Sequence, residues 1–298
     1  MTTEAMTDLT GRTCLVTGAT HGIGRATAEA LAALGATVIV HGRDSAAVGA
    51  VCHEIARASG NAEVTGVVAD FASLAAVRRL AADITVRHAR LDVLVNNAGT
   101  SARHRRLTGD GFEWLLGVNH LAPFLLTTLL LDKLKASAPA RVVNVASMAY
   151  RRGTLELDDL NWERRKYRSL KAYSDSKLAN VLFTRELARR VAGSGVTANS
   201  LHPGVVATNI FNQLGLFGRV FTMLAKPLLL TSAEGAKTSV YLASATEVAG
   251  VSGKFFDRCR ERQLDPVAND DAGAERLWQR SEQLCGGAGV TVSVQPKP

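Results

Sequence analysis

Short runs of consecutive apolar residues alternate along the chain with longer segments in which apolar residues recur every three or four positions. The first pattern is typical of strands buried on both faces of a sheet, and the second of helices with one buried face. Seven strand-like runs are predicted: 12–17, 36–41, 64–69, 91–95, 141–146, 196–202 and a short run at 254–256. Because strands and helices alternate, we predict an α/β fold with a mostly parallel, doubly wound seven-stranded sheet flanked by helices.

Glycine-rich and polar segments follow the strand-like runs. After the first six runs come, in order, Gly18 to Gly24, Arg43, Asp70, Asn96 to Gly99, Ser147 and Pro203. Sheets of this kind bind ligands outside the carboxyl ends of their strands, where the strand order reverses. The common position of these segments therefore predicts one ligand site at that edge.

The segment Gly18-Ala19-Thr20-His21-Gly22-Ile23-Gly24 separates the first strand from a helix that is predicted to stop at Gly35. That helix has apolar positions at Ala26, Ala30, Leu31 and Leu34. Glycines let the backbone approach a pyrophosphate, which then contacts the free N–H groups at the helix start. A purely structural glycine turn is the alternative, but its place between strand and helix favours phosphate binding.

Tyr173 and Lys177 stand one helical turn apart, in a helix that continues through Val181, Leu182, Leu187 and Val191. Residues at this spacing share a face of the helix. A nearby ammonium favours a phenolate, so we expect the pKa of Tyr173 to fall from about 10 towards neutrality, where it transfers protons. Tyr167 and Lys171 repeat the spacing in a charged segment, and we predict Tyr167 to be an exposed loop residue.

The motifs of the chain resemble those of the short-chain dehydrogenase/reductase family, over roughly residues 10–256. They occur in the order of the family: Thr17-Gly18-x-x-x-Gly22-Ile23-Gly24, Asn96-Asn97-Ala98-Gly99, Asn119, Ser147, Tyr173-x-x-x-Lys177 and Pro203-Gly204. The segments 117–121, 176–180, 201–204 and 252–256 are most similar to the retinol dehydrogenase and WW-domain oxidoreductase branch. The resemblance implies a Rossmann-type domain that binds a nicotinamide dinucleotide.

The resemblance also implies a role for each matching residue. Ser147 would bind the substrate oxygen, and Tyr173 would transfer a proton to or from it. Lys177 would hold the nicotinamide ribose, and Asn119 would anchor a water that replaces the proton through Lys177. The implied cofactor contacts are Gly18, Thr20, His21, Gly22, Ile23, Gly24, Arg43, Asp70, Phe71, Asn97, Ala98, Gly99, Tyr173, Lys177, Pro203, Gly204, Val206 and Thr208.

The end of the second strand, His41-Gly42-Arg43-Asp44, bears on the choice of cofactor. A site for NAD(H) has a carboxylate here that binds the ribose hydroxyls, whereas a 2′-phosphate requires a cation. Gly42 stands where relatives of the NAD type carry their acid, and Arg43 follows it, so we expect NADP(H), with His21 as a second donor. The alternatives are that Arg43 only caps a turn and that Asp44 makes the site one for NAD(H).

Two segments bear on the substrate. Tyr150 to Leu170 resembles the insertion of the retinol branch. Residues 208–230 are too apolar for an exposed connection and too interrupted to span a membrane, so we predict a lid over an apolar aldehyde, ketone or alcohol. Its apolar residues are Ile210, Phe211, Leu214, Leu216, Phe217, Val220, Phe221, Met223 and Leu224. The alternative is that this segment forms a helix pair in the core or in a dimer interface. Directly after the segment, Thr231 to Glu234 predicts a helix start of the capping-box type.

The composition is that of a folded protein, with 47% apolar and 21% charged residues among 298. We expect a single domain with a C-terminal extension at 257–298. The polar N-terminus predicts neither export nor an N-terminal anchor. The four cysteines, Cys14, Cys52, Cys259 and Cys285, do not have the spacing of metal ligands, so we expect no metal site. We expect their thiols to be reduced, in a cytoplasmic protein.

The formal net charge is +8, and basic residues concentrate at 103–106, 151–152 and 163–168. We expect a solvated basic rim, with an anionic substrate as the alternative, and no nucleic-acid partner because aromatic residues are sparse in these runs. The family resemblance, taken with these patterns, implies an NADP(H)-dependent oxidoreductase, and we expect it to form a homo-oligomer. Peripheral contact with a membrane stays open. The alternatives are a catalytically silent dinucleotide sensor or scaffold and a binder of nucleic acid or anionic surfaces.

Overall fold

The computed structural model of the chain describes residues 7–204 and 230–286 and contains one sheet. Its strands are β1 Thr13–Val16, β2 Thr37–Gly42, β3 Val64–Val68, β4 Val93–Asn96, β5 Ala140–Val145, β6 Val196–His202, β7 Phe255–Asp257 and β8 Arg260–Arg262. They lie in the order β3-β2-β1-β4-β5-β6-β7-β8, with β1 to β7 parallel and β8 antiparallel to β7. The predicted α/β, doubly wound architecture is confirmed.

Helices cover both faces of the sheet. They are α1 Gly22–Ala33, α2 Ser45–Ser59, α3 Leu74–Arg87, α4 Trp114–Leu116, α5 Ala122–Leu129, α6 Leu131–Ala136, α7 Ser169–Arg190, α8 Ser232–Ser244 and α9 Asp271–Leu284. Shorter turns of 3₁₀ helix lie at Met148–Arg152, Leu157–Asp159, Thr246–Val248 and Pro266–Ala268, and a π-helix joins α4 to α5 at Gly117–Leu121.

Side chains of each central strand point alternately to the two layers. In β1, Leu15 packs in the layer of α3, α5 and α7, whereas Cys14 and Val16 pack in the layer of α1, α2 and α8. This period of two, with both faces buried, explains why the strands appear in the sequence as continuous apolar runs.

The sheet has one strand more than we predicted. Strand β8 follows β7 through Arg258 and Cys259, whose φ angles of 51° and 59° lie in the left-handed region. Glycine or asparagine usually marks such a turn, and neither stands here, so the pattern carried no hairpin signal. The residues of β8 are also exposed and charged, without the alternation that predicts a strand.

The strand order reverses between β1 and β4, which are neighbours in the sheet. The crevice above this point is therefore bordered by the segment that follows each of the two strands. The carboxyl ends of β2 and β5 flank it on either side, which brings together segments far apart in sequence.

The C-terminal segment forms part of the core of the domain. On α9, Trp278 is 1% exposed and lies in the main cluster with Phe124 and Phe183, while Leu277 belongs to the same smaller cluster as Tyr150. The predicted capping box is confirmed: the Thr231 hydroxyl accepts from the Glu234 amide, and the Glu234 carboxylate accepts from the Thr231 amide, at the start of α8.

The predicted lid at 208–230 lies outside the described residues apart from Leu230, and so do Val206 and Thr208. Among the helices within 7–204 and 230–286, none is long and apolar enough to cross a membrane.

Candidate active site

A cleft of about 370 Å³ opens at the carboxyl edge of the sheet, where the strand order reverses. Most of the predicted cofactor contacts line it: Gly18, Thr20, His21, Gly22, Ile23, Gly24, Arg43, Asp70, Phe71, Asn97, Ala98, Gly99, Tyr173, Lys177 and Pro203. Gly204 follows Pro203 with a φ of 85° and lies against the side chain of Leu230. The structure thus brings the segments after six strands to one cavity.

The glycine turn is held against the segment after β4. The buried Thr17 hydroxyl oxygen accepts from the amides of Asn97 (2.9 Å) and Ala98 (3.0 Å), and the Asn97 side chain donates to the Thr17 carbonyl (2.8 Å). A Cβ at Gly24 would overlap the Asn97 amide nitrogen and the Gly18 carbonyl, so only glycine fits there. No side chain caps the start of α1, so its free N–H groups can bind a pyrophosphate.

His41 fixes the other side of the turn, a role that sequence reasoning missed. Its Nδ1 accepts from the Gly18 amide (3.2 Å), which leaves Nε2 as the donor to the Ala69 carbonyl (3.1 Å). The ring stacks on Phe71 with centroids 4.5 Å apart. Burial lowers the pKa of His41 to about 4, so the imidazole is neutral at physiological pH and contributes no charge.

The end of β2 offers a cation and is crowded at the position where an acid would stand. Arg43 is exposed and forms no ion pair within the described part of the chain. A Cβ at Gly42 would come within 2.5 Å of Thr20 Cγ2 and 2.8 Å of Val48 Cγ2. The Asp44 carboxylate accepts from the Ala47 amide (2.7 Å) as the N-cap of α2. The cradle of glycines and this cation fit a dinucleotide that carries an extra phosphate.

Tyr173 and Lys177 lie on α7, as predicted, but their ionisation differs from the expectation. Lys177 is buried and donates to the Val145 carbonyl (3.0 Å), with Nζ 5.7 Å from the centre of the Tyr173 ring. Burial lowers the pKa of Lys177 to about 8. Burial also raises the pKa of Tyr173, although a hydrogen bond with Ser147 opposes it, so the expected fall in the pKa of Tyr173 is wrong for the protein alone.

Asn119 lies in the π-helix, a distortion common at functional sites. Its Oδ1 accepts from the Thr100 amide (2.8 Å), and its Nδ2 donates to the Thr100 carbonyl (3.1 Å) and to Ser176 Oγ (3.0 Å). A Cβ at Gly99 would lie 3.6 Å from both Asn119 Oδ1 and Lys177 Nζ. The predicted groups Asn119, Tyr173 and Lys177, and Ser147 beside Tyr173, therefore converge.

Tyr167, which repeats the spacing of the Tyr–Lys pair, lies in a loop before α7, as predicted. The prediction of exposure is wrong. Its hydroxyl donates to Glu113 Oε1 (3.0 Å), and its ring packs on Trp162, with centroids 5.5 Å apart. Because Glu113 is only 1% exposed, burial raises the pKa of its carboxyl group. Tyr167 thus ties the insertion to the helix that precedes Asn119.

The insertion also changes the interpretation of the basic runs. Arg103, His104 and Arg106 are exposed, as expected of a basic rim. Arg165, however, is mostly buried and stands between three carboxylates, those of Glu156 (3.0 Å), Asp159 (3.4 Å) and Asp175 (3.4 Å). Its guanidinium also covers the Trp162 ring at 3.7 Å. The expectation of a solvated side chain is therefore wrong for Arg165, which anchors the insertion to α7.

Sequence reasoning considered Gly42 only as the position of an acid in relatives, and it missed several other residues of the cleft wall: His41, Ala69, Thr100, Ser101, Trp114, Val118, Val145 and Ala146. Thr100 and Ser101 directly follow the Asn96–Gly99 segment and could have been found by extending it. Trp114, the first residue of α4, lines the cleft because of tertiary packing, which no spacing in the sequence predicts.

Comparison with known proteins supports a specific relationship. Residues 12–216 match the family model described as short chain dehydrogenase. Human retinol dehydrogenase 13 is 46% identical over 293 residues, which cover 97% of this chain and 88% of that protein. Human retinol dehydrogenase 14 is 46% identical over 292 residues, with 93% and 87% of the two chains covered.

Solved structures agree with these matches. An uncharacterised protein of Mycobacterium paratuberculosis is 37% identical and superposes with a TM-score of 0.77, covering 94% of this chain and 95% of its own. A Beutenbergia cavernae protein that was crystallised with NADP at low occupancy is 32% identical, with a TM-score of 0.68 and coverages of 84% and 96%.

Proposed function

The chain belongs to the short-chain dehydrogenase family, in its retinol dehydrogenase branch, and from this premise we propose an NADP(H)-dependent oxidoreductase for apolar carbonyl compounds or alcohols. One observation carries the proposal: the glycine turn, Arg43, Tyr173 and Lys177 line a single cleft. Binding groups for a dinucleotide and a proton-transferring pair thus share the space in which a carbonyl group would meet the nicotinamide.

In this mechanism the nicotinamide, when bound, supplies or accepts the hydride. Tyr173 gives a proton to the substrate oxygen during reduction and removes it during oxidation. Ser147, which is hydrogen-bonded to Tyr173, donates to the same oxygen as negative charge develops there. Each proton has a route back, since Lys177 lies beside Gly99 together with Asn119, and we propose that a water held by Asn119 supplies it.

The preference for NADP(H) over NAD(H) rests on charge and space at the end of β2. Arg43 provides an unpaired cation within the described chain, and a side chain at position 42 would have to displace Thr20 and Val48. Asp44 is held as a helix cap. The NADP bound to the Beutenbergia cavernae protein supports the same preference, as does the position of His21 in the cleft wall.

The choice of apolar substrates rests on the composition of residues 208–230 and on the relatives. Retinol dehydrogenases 13 and 14 are named for retinol, a lipophilic alcohol. Trp114 and Val118 add apolar surface to the cleft. We further propose a homo-oligomer in the cytoplasm, where the four free cysteines would stay reduced.

The test is a panel of aldehydes and ketones of increasing chain length, assayed for loss of NADPH absorbance, with NADH in parallel. We expect kcat/KM to rise with apolar chain length and to be higher with NADPH. The absence of turnover for every member of the panel and for the matching alcohols, despite measurable binding of NADPH, would instead support the silent sensor or scaffold.

A further inference from the structure

The protein contains three tryptophans, and an arginine covers each of them. Arg165 lies 3.7 Å from the centre of the Trp162 ring, Arg190 lies 4.4 Å from Trp278, and Arg106 lies 3.5 Å from Trp114. Trp162 and Trp278 are buried core residues, 5% and 1% exposed. Trp114 differs, because it is only partly buried and lines the cleft. Two of the arginine–tryptophan pairs therefore involve buried tryptophans, whereas the third lies at the wall of the candidate active site.

The backbone holds Trp114 in a fixed position. It is the first residue of α4, and the Glu113 carboxylate before it caps that helix by accepting from the Leu116 amide (2.8 Å). The Trp114 amide donates to the Arg106 carbonyl (3.0 Å). The Arg106 guanidinium stacks on the indole, 3.5 Å from the centre of the ring, and Arg106 itself does not line the cleft. The backbone of Trp114 is thus fixed, and its ring has a stacking partner, before any substrate arrives.

Trp114 also lies near the proton donor. Trp114 and Tyr173 both pack against one small apolar cluster, formed by Ala102, Leu115, Trp162 and Ala172. The cleft wall near them includes Thr100 and Ser101. A substrate with its oxygen at Tyr173 can extend its remaining atoms along this wall, to which the indole of Trp114 contributes apolar surface among the described residues.

We propose that Trp114 is a specificity-determining residue that selects substrates with a planar aromatic group attached to the carbonyl carbon. The inference rests on the proposed function and narrows its substrate class from apolar to planar. Aromatic rings gain from stacking beyond the area they bury, and a puckered saturated ring of the same size does not. Stacking of the Arg106 guanidinium on the indole favours this orientation of the ring.

The experiment compares benzaldehyde with cyclohexanecarbaldehyde, which match in size but differ in planarity, in the wild type, Trp114→Leu and Trp114→Phe. The ratio of their kcat/KM values with NADPH should favour benzaldehyde in the wild type and fall about two- to ten-fold in Trp114→Leu. Trp114→Phe should keep most of the preference, because it retains a ring, and it carries the test if the leucine variant does not fold. Trp162→Phe is the matched control, since that tryptophan also lies under an arginine and beside the same cluster but off the cleft.

The outcomes distinguish a failure of the role proposed for Trp114 from a failure of the proposed oxidoreductase function. An unchanged ratio in Trp114→Leu, with turnover that still requires Tyr173, would overturn the role of Trp114 and leave the oxidoreductase standing. An equal change in Trp162→Phe would also overturn it, because general loosening of the wall would then explain the effect. A wild type that reduces neither these aldehydes nor longer ones would overturn the proposed function, and the inference with it.

Discussion

At the scale of single residues, burial sets the ionisation of the proton-transferring pair. Burial disfavours the charged form of each group, so it raises the pKa of Tyr173 and lowers that of Lys177 to about 8. At neutral pH the phenol is therefore protonated and the amine is mostly charged. This combination suits a proton donor, and the protein alone is in the state that reduction requires.

The first prediction concerns pH. The Lys177 ammonium is fully formed well below pH 8 and is lost as the pH rises through that value. If the charge is needed for proton supply, kcat/KM for carbonyl reduction should be level near pH 6–7 and fall about ten-fold per pH unit well above 8. Initial rates in overlapping buffers measure this profile. A profile that stays level to pH 10 would show that the charge on Lys177 is not required.

The second prediction compares two tyrosines. Tyr173→Phe should abolish turnover while NADPH binds with nearly unchanged affinity, because only the proton donor is lost. Tyr167→Phe should keep turnover but lower the free energy of unfolding by about 1–3 kcal/mol, because it leaves the buried Glu113 carboxylate without one hydrogen bond. Steady-state rates and denaturant unfolding of both variants test this. Loss of turnover in Tyr167→Phe alone would reverse the assignment.

At the scale of elements, the sequence predicted those whose pattern is local. The first seven strands appear as apolar runs, α1 and α7 carry the expected apolar positions, and α8 starts with the expected capping box. Strand β8 and the π-helix at Asn119 have no such pattern. The first depends on a turn of two left-handed residues, and the second on long-range hydrogen bonds to Thr100 and Ser176.

The site could be predicted to the same extent and for the same reason. Each motif follows a strand, and parallel strands bring their carboxyl ends together, so convergence of the motifs was predictable from their order. The contacts of His41 and Trp114 were not, because they depend on tertiary packing. The fall expected in the pKa of Tyr173 failed because spacing predicts that two residues are neighbours but says nothing of how deeply they are buried.

The third prediction tests the capping box at α8. Thr231→Ala removes the hydroxyl that accepts from the Glu234 amide and should lower the free energy of unfolding by about 0.5–2 kcal/mol. Ser232→Ala, one position later, is the control and should have an effect within about 0.5 kcal/mol. Urea unfolding at neutral pH measures both. Equal losses would mean that the box does not stabilise the helix.

At the scale of the whole molecule, the cofactor should couple to the stability of the fold. The cleft is built from residues at the ends of β1 to β6 and from α7, so a ligand there contacts segments from most of the chain. A ligand that binds only the folded state at 100 times its dissociation constant adds about 2.7 kcal/mol to the free energy of unfolding. Thermal unfolding therefore reports binding without any need for turnover.

The last prediction uses this coupling to separate cofactor choice from catalysis. At concentrations about 100-fold above the wild-type Kd, NADPH should raise the unfolding temperature of the wild type and of Tyr173→Phe by the same several degrees. Arg43→Ala should lose about 1.5–3 kcal/mol of NADPH binding, which cuts the stabilisation to less than half, while its response to NADH stays unchanged. An equal loss for both cofactors would remove Arg43 from the phosphate site. A full NADPH response in a wild type without turnover is instead the result that a silent sensor gives, because binding alone produces the shift.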